Sequence, residues 1–425
     1  MGTRNGALKQ LVGSTIVGSA LAVGARAADE AAIRVVEDPG NSVKLQIAVR
    51  TYQTSEATGP TVSLVGVSHI GARRFYRAVQ ELLDEYAVVL YESVKPPGAS
   101  GARGESDAER IETTEAALGF VAEALKLHHR TADRYPPDLK GLIAFAGERD
   151  PRLGQWLAGA VTDAWGRHLR YRLTDEGRRF VLASLGADGA PGGEGADRDI
   201  QVTADDVPTT WSGPGEDNLQ AELAKALGLE FQLDAIDYGK GHFRSSDLAM
   251  DELEEALGDQ GVDFGPIGES LAGSSLPGKL VVYLLRMLRF VDLILDGAIA
   301  DTMKVVLIEL LADETVMEQG LAQFGPGLKT VLIDKRNQLV IDQLKRIVHE
   351  EPDVDSVGIF YGAAHMPDMA QRLREQLGYE PTGGVRWLTA FEVDLRHSAM
   401  TASQLKQIRG MIRRQLKSMA GPDKE

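Results

Sequence analysis

The chain contains no cysteine, which excludes disulfides, lipidation at a thiol and metal sites built on thiolates. It also lacks a basic excess. Its 46 Lys and Arg face 62 Asp and Glu, for a formal charge of −16, and this balance argues against a nucleic-acid partner, whose phosphates need clustered cations. Long apolar runs are scarce too. The run Leu11 to Val23 is too short to span a bilayer stably. The stretch Leu280 to Ile299 is interrupted by Arg286, Arg289, Asp292 and Asp296, so it reads as a buried cap helix and the mature chain is expected to have no membrane span.

What remains is the composition of an ordinary globular protein, with 43% hydrophobic and 25% charged residues over 425 positions, room for two or three domains. At the N-terminus, Arg4 and Lys9 precede the short apolar run, and Ala25-Arg26-Ala27 forms a small-x-small cleavage site. Residues 1–27 therefore read as a signal peptide of an exported, periplasmic or secreted protein. The alternative is an uncleaved tail.

Two stretches organise the rest. Val62 to His69 and Val357 to His365 are each a buried-strand pattern that ends in G-x-x-H and passes directly into a helical pattern. Glycine would let the backbone turn off the strand, leaving His69 and His365 at the strand ends where open α/β sheets hold ligands. The bland alternative is a hydrogen-bonded core or loop imidazole. A third copy, Gly239 to His242, lies in a glycine-rich loop and is discounted, with His242 only a second candidate base. Val43 to Arg50 reads as an edge strand. A helix over about Ala72 to Tyr86 and a strand Ala87 to Glu92 complete a βαβ unit with parallel strands. Glu92 then shares the sheet end with His69, either paired or cation-bound or simply reaching solvent.

From Pro96 to Asp107 the composition is that of a linker. A helix over Thr113 to Arg130, the turn Tyr135-Pro136, the run Asp163-Ala164-Trp165-Gly166 and a strand His168 to Arg172 follow. The segment closes on a loop, Ser184 to Ile200, rich in glycine and carrying Asp188, Glu194, Asp197 and Asp199. Such a loop can wrap a hard cation or be a solvated acidic turn. The segment resembles the globular part of the major pseudopilin of type II secretion systems. That resemblance implies a Ca2+ site with Asp188, Asp197 and Asp199 as ligands and the Leu185 carbonyl as an addition, and a secretion-system partner. Pseudopilins carry a long apolar helix before this part. None directly precedes Thr113, so a borrowed calcium-stabilised module is the expectation.

Beyond a second linker, Asp205 to Glu216, come a short helix Leu219 to Leu227, a strand Leu229 to Ile236, a mostly helical region from Asp247 to Gly320 and a helix Thr330 to Val348. Arg336 and Asn337 fall in the middle of that helix; Arg336 is either solvated or a partner for a carboxylate, Glu92 among them. Val385 to Val393 is a closing strand, and Gln404 to Met419 a basic amphipathic helix, either an ordinary surface helix or a docking element. Together, Val43 to Val94 and Asn218 to Val393 resemble the TraB/PrgY/GumN family, which includes the Tiki metalloproteases. The resemblance implies a divalent transition metal held by His69, Glu92 and His365, with Arg336 as substrate or structural partner and peptide or protein as substrate.

The expected fold is α/β: a parallel-sheet core with a helical cap, interrupted by a small α+β domain. The expected boundaries are 43–95 and 217–395 for the core, 108–204 for the insert and 396–425 for the C-terminal helix. Three functions stand open: an exported metal-dependent hydrolase, a non-catalytic binding or regulatory protein, and a type II secretion-associated component.

Overall fold

The computed structural model describes residues 31–39, 41–56, 58–206, 223–224, 227–262, 299–312, 326–396, 398 and 401–419. The signal peptide, the 280–299 helix apart from Ile299, and most of the 219–227 helix lie outside the described residues.

In chain order the first strands are β1 (Ile33–Asp38), β2 (Ser42–Thr54), β3 (Thr61–Val67), the two-residue β4 (Ile70–Gly71) and β5 (Val88–Tyr91). The insert contributes β6 (Arg170–Thr174), β7 (Arg179–Ser184) and β8 (Ile200–Thr203). The chain then returns with β9 (Glu230–Phe231), β10 (Phe243–Ser245), β11 (Ser356–Gly362) and β12 (Tyr379–Asp394). The main sheet runs β1-β2-β3-β11-β5-β10, with β12 on the other side of β2. Its core, β3-β11-β5-β10, is parallel throughout; β1, β2 and β12 pair antiparallel. The fold is α/β with a parallel-sheet core, interrupted by a small unit with its own antiparallel sheet, β6-β7-β8.

The parallel strands read as unbroken apolar runs because both faces are covered. Val62, Val65, Val89, Leu90, Ile359 and Phe360 are all at 2% exposure or less. The helix Arg73–Leu83 buries Phe75, Tyr76, Val79, Leu82 and Leu83, as its apolar spacing predicts. β2 is not an edge strand. It pairs with β1 and β3 along one side and with β12, more than 300 residues away in sequence, along the other, which local alternation cannot reveal. The segment Leu229 to Ile236 is not one strand either: after Phe231 the chain turns into a short helix, Gln232–Ala235.

In the insert, the helix Asp107–Ala132 starts from a capping box, Ser106 with Glu109, which ties up two otherwise unpaired N–H groups. Its buried face, with Leu118, Val121 and Leu125, packs with Trp156, Phe180 and Leu182 into a second core. The 96–107 stretch is no free linker. The Gly98 N–H donates to Asp251, and both Ser100 Oγ and Arg103 donate to Glu252, so the insert is moored to the main domain.

Candidate functional site

Each of the four parallel strands delivers one side chain just past its carboxyl end: His69 after β3, His365 after β11, Glu92 after β5 and Asp247 after β10. This is the sheet edge at which open α/β folds gather ligands. The glycines act differently from the expected sharp turn. Gly66 lies inside β3, where a Cβ would stand 2.9 Å from Ile47 Cγ2, so the residue admits close packing of β2. At Gly362 a Cβ would meet Glu92 Oε2 at 3.1 Å; the bare backbone instead lets the Gly362 N–H donate to that oxygen at 2.6 Å.

Glu92 is held from two sides. Arg336 Nη2 donates to its Oε1 at 2.8 Å, and the same guanidinium grips Asp247 through Nε at 2.8 Å and Nη2 at 2.7 Å. Arg336 is 5% exposed. Between two carboxylates it is a structural partner, and the solvated-face alternative is excluded. Burial alone would raise the Glu92 pKa, yet the Arg336 charge, with His365 and His69 behind it, brings it well below the usual carboxylate range. Arg336 opens an α-helix, Arg336–Glu350, directly after a π-helical stretch, Thr330–Lys335, a distortion common at functional sites.

Both imidazoles are locked by amides. Asn337, wholly buried, donates through Nδ2 to Asp368 at 2.7 Å and to the His365 carbonyl at 3.2 Å, so its Oδ1 accepts the His365 Nδ1–H at 2.7 Å. Gln232 donates through Nε2 to Tyr238 Oη at 3.1 Å, so its Oε1 accepts the His69 Nδ1–H at 2.9 Å. These amide orientations follow from their other partners. Each His therefore carries its proton on Nδ1 and leaves the Nε2 lone pair free, the arrangement in which imidazoles bind metals. Burial pushes the His365 pKa down to about 4, so it is neutral near pH 7. His365 Nε2 stands 3.7 Å from Glu92 Oε1, too long for a hydrogen bond but near the roughly 3.3 Å between two ligands on one tetrahedral ion.

The donor chemistry of His69, Glu92 and His365 thus fits a divalent transition metal. Their spacing is looser: among the described residues, no group of three or more His, Asp or Glu is gathered closely enough to hold an ion. His242 does not belong here. It precedes β10, at the opposite end of the parallel strands from Glu92, so it is no base for this site. Asp247, Gln232 and Asp368 carry no sequence signal for this site; Asn337 is legible only as the neighbour of Arg336 in the late helix.

The acidic loop of the insert is anchored by the motifs that preceded it. Asp163 accepts the Trp165 and Arg167 N–H groups on Oδ1 and the Ser184 hydroxyl on Oδ2 at 2.6 Å. Tyr171 Oη donates to the Pro136 carbonyl at 2.8 Å. Gly186 has φ +63°, and a Cβ there would stand 2.7 Å from the Ala196 and Arg198 carbonyl oxygens, so only glycine fits. Asp188 Oδ1 accepts the Ala190 N–H and Asp199 Oδ2 the Gly192 N–H. Carboxylates and turned backbone are what a hard cation such as Ca2+ takes, but among the described residues no group of three or more such side chains, Asp188, Asp197 and Asp199 included, is gathered closely enough to hold an ion. Arg167 brings a cation of its own, donating to the carbonyls of Gly186 at 3.1 Å and Ala187 at 2.7 Å.

No described helix is long and apolar enough to cross a membrane. The C-terminal helix Ala402–Met419 turns Arg409 inward, and Arg409 together with the exposed Arg413 pairs with Glu309, which is 5% exposed.

Compared with known proteins, residues 102–203 match the family described as type II secretion system (T2SS), protein G. Over 115 residues the chain is 28% identical to the type II secretion system core protein G of Xanthomonas campestris pv. campestris, covering 27% of this chain and 80% of that relative. No solved structure matches. The insert is therefore a protein G-like pseudopilin domain, carried inside an α/β domain that the family match does not reach.

Proposed function

We propose that this chain is an exported, envelope-side component associated with type II secretion, in which the protein G-like domain recognises a secretion-system partner and the α/β domain carries a two-histidine ligand site. The observation that carries this reading is the protein G match over residues 102–203. The domain sits between β5 and β10 of another fold and is moored there through Asp251 and Glu252. That setting favours a docking role over assembly into a pilus shaft. Co-purification of the tagged full chain from its own host tests it. Enrichment of type II secretion proteins, lost when residues 102–203 are replaced by the equivalent length of Gly-Ser linker in a chain that still folds, is the expected result; equal recovery with and without the domain would sink it.

A second reading is favoured by one feature of the α/β domain, two imidazoles with free Nε2 lone pairs at the same sheet edge as a buried carboxylate, one of them 3.7 Å from it. It is a metal-dependent hydrolase, probing peptides first, in line with the TraB/PrgY/GumN resemblance. His69, His365 and Glu92 would hold the ion, which when bound polarises a carbonyl and lowers the pKa of a bound water. Arg336 keeps Glu92 ionised, and Asn337 and Gln232 keep both imidazoles in the ligating tautomer. Peptide hydrolysis by the purified chain that persists in His69→Ala/His365→Ala would refute this reading.

A further inference from the structure

The helix Pro151–Ala160 of the protein G-like domain touches the back of the two-histidine site at three places. Gln155 is the centre: its Oε1 accepts the Tyr91 hydroxyl at 2.9 Å, and its Nε2 donates to the Tyr238 carbonyl at 2.8 Å. Tyr91 immediately precedes Glu92. Tyr238 accepts from Gln232, and Gln232 orients His69. Trp156 Nε1 donates to Ser245 at 3.3 Å, two residues before Asp247. Arg152, fixed by both oxygens of Asp150, lies over the Tyr238 ring at 5.6 Å, and Tyr91 and Tyr238 pack with centroids 4.8 Å apart. Tyr91, Tyr238 and Trp156 are buried, while Gln155 and Arg152 are partly so. Three of the four strand-end groups thus have a residue of the insert behind them, while His365 is held from the other half of the domain by Asn337 and Asp368.

We infer that Gln155 of the protein G-like domain is a positioning residue for the two-histidine site, holding His69 in its Nδ1-protonated form through Tyr238 and Gln232. The inference rests on the two-histidine site described above but not on its being occupied or catalytic. Free imidazole in water prefers its proton on Nε2, so the opposite tautomer at His69 persists only while Gln232 keeps its carbonyl oxygen turned to Nδ1. Gln232 has that orientation because its amide nitrogen donates to the Tyr238 hydroxyl, and Tyr238 is where Gln155 and Arg152 hold it. Loosening Gln155 frees Tyr238, then the Gln232 amide, then the ring of His69. Events on the inserted domain that shift its Pro151–Ala160 helix would reach the site by the same contacts.

The test is ring-nitrogen NMR of the full mature chain labelled with 15N-histidine, metal-free and at a pH where the rings are neutral, assigned with His69→Asn and His365→Asn. In the wild type, both rings give the Nδ1-protonated pattern. In Gln155→Ala, His69 loses the single-tautomer pattern and reports a mixture, and His365 keeps its own as the internal control. Tyr238→Phe, which removes only the hydroxyl that orients Gln232, gives the same result and covers the event that Gln155→Ala fails to fold. An unchanged His69 pattern in these variants overturns the inference, as does an equal change at both histidines, which would mean general loosening. Because no metal is present, failure of the hydrolase reading in a metal-binding assay leaves this outcome independent.

Discussion

Glu92 and Arg336, 244 positions apart, form a 2.8 Å ion pair whose guanidinium is gripped on its other edge by Asp247. One cation therefore serves two carboxylates at the ends of β5 and β10. Such a triad is weak as a source of stability but costly to break, because each member is desolvated.

Arg336→Ala leaves Glu92 and Asp247 buried without their cation. We expect a loss of about 3–5 kcal/mol in urea unfolding, with recovery of part of it in Arg336→Ala/Asp247→Asn. An exposed substrate-binding arginine would show little loss, so a change below about 1 kcal/mol would contradict the structural role.

His365 makes the metal-free chain sensitive to mild acid. Its folded pKa, pushed down to about 4 mainly by burial, lies below the ordinary unfolded value, so between those two pH values the unfolded chain binds a proton that the folded chain does not. Stability contributed by the neutral ring is complete above the unfolded pKa and is lost as the pH falls toward 4. Over that window the loss is on the order of 3 kcal/mol. Urea midpoints at pH 7 and pH 4.5 should fall less in His365→Gln than in the wild type; parallel curves would show that this ring does not set the slope.

The acidic loop gives a separate readout. If its carboxylates take up Ca2+, millimolar Ca2+ raises the thermal midpoint of the wild type, and Asp188→Ala/Asp199→Ala abolishes the rise while leaving the midpoint in EDTA nearly unchanged. Arg167→Ala, which releases the Gly186 and Ala187 carbonyls, should lower the midpoint in EDTA and make the chain more dependent on the ion. A wild-type midpoint indifferent to Ca2+ would mean that Arg167 already meets the loop's need for a cation.

At the C-terminus, Glu309 fastens Arg409 and Arg413. Glu309→Ala removes the buried partner of Arg409 and leaves it only the more exposed Glu37, at 2.6 Å from Nη1, so the helix Ala402–Met419 should loosen and trypsin should cut at Arg409 and Arg413 several-fold faster than in the wild type. Unaltered cleavage would mean that apolar packing of Leu405, Ile408 and Ile412 holds the helix alone.

The sequence carried the parallel core and the ends where His69, His365 and Glu92 stand, because the apolar runs and the G-x-x-H spacings are local signals. It carried the insert through motifs whose residues meet in space: Asp163 with Ser184, and Tyr171 with Pro136. It could not carry the long-range pairing of β2 with β12, nor the groups that hold the site. Asp247 follows a three-residue strand, and Gln232 sits where alternation called for a continuing strand. Gln155 belongs to a helix whose pattern speaks only of its own domain's core. Arg336 read more readily as a surface residue, since burial of a charge depends on partners 89 and 244 positions away.

The most direct test of the central claim is binding of the purified full chain to the purified soluble domain of its host's major pseudopilin, measured by surface plasmon resonance or calorimetry. The account predicts saturable binding, weakened by Asp188→Ala/Asp199→Ala in the insert and unaffected by His69→Ala/His365→Ala. Absence of binding, or binding that depends on the histidines and not on the loop, would contradict a docking role for the protein G-like domain.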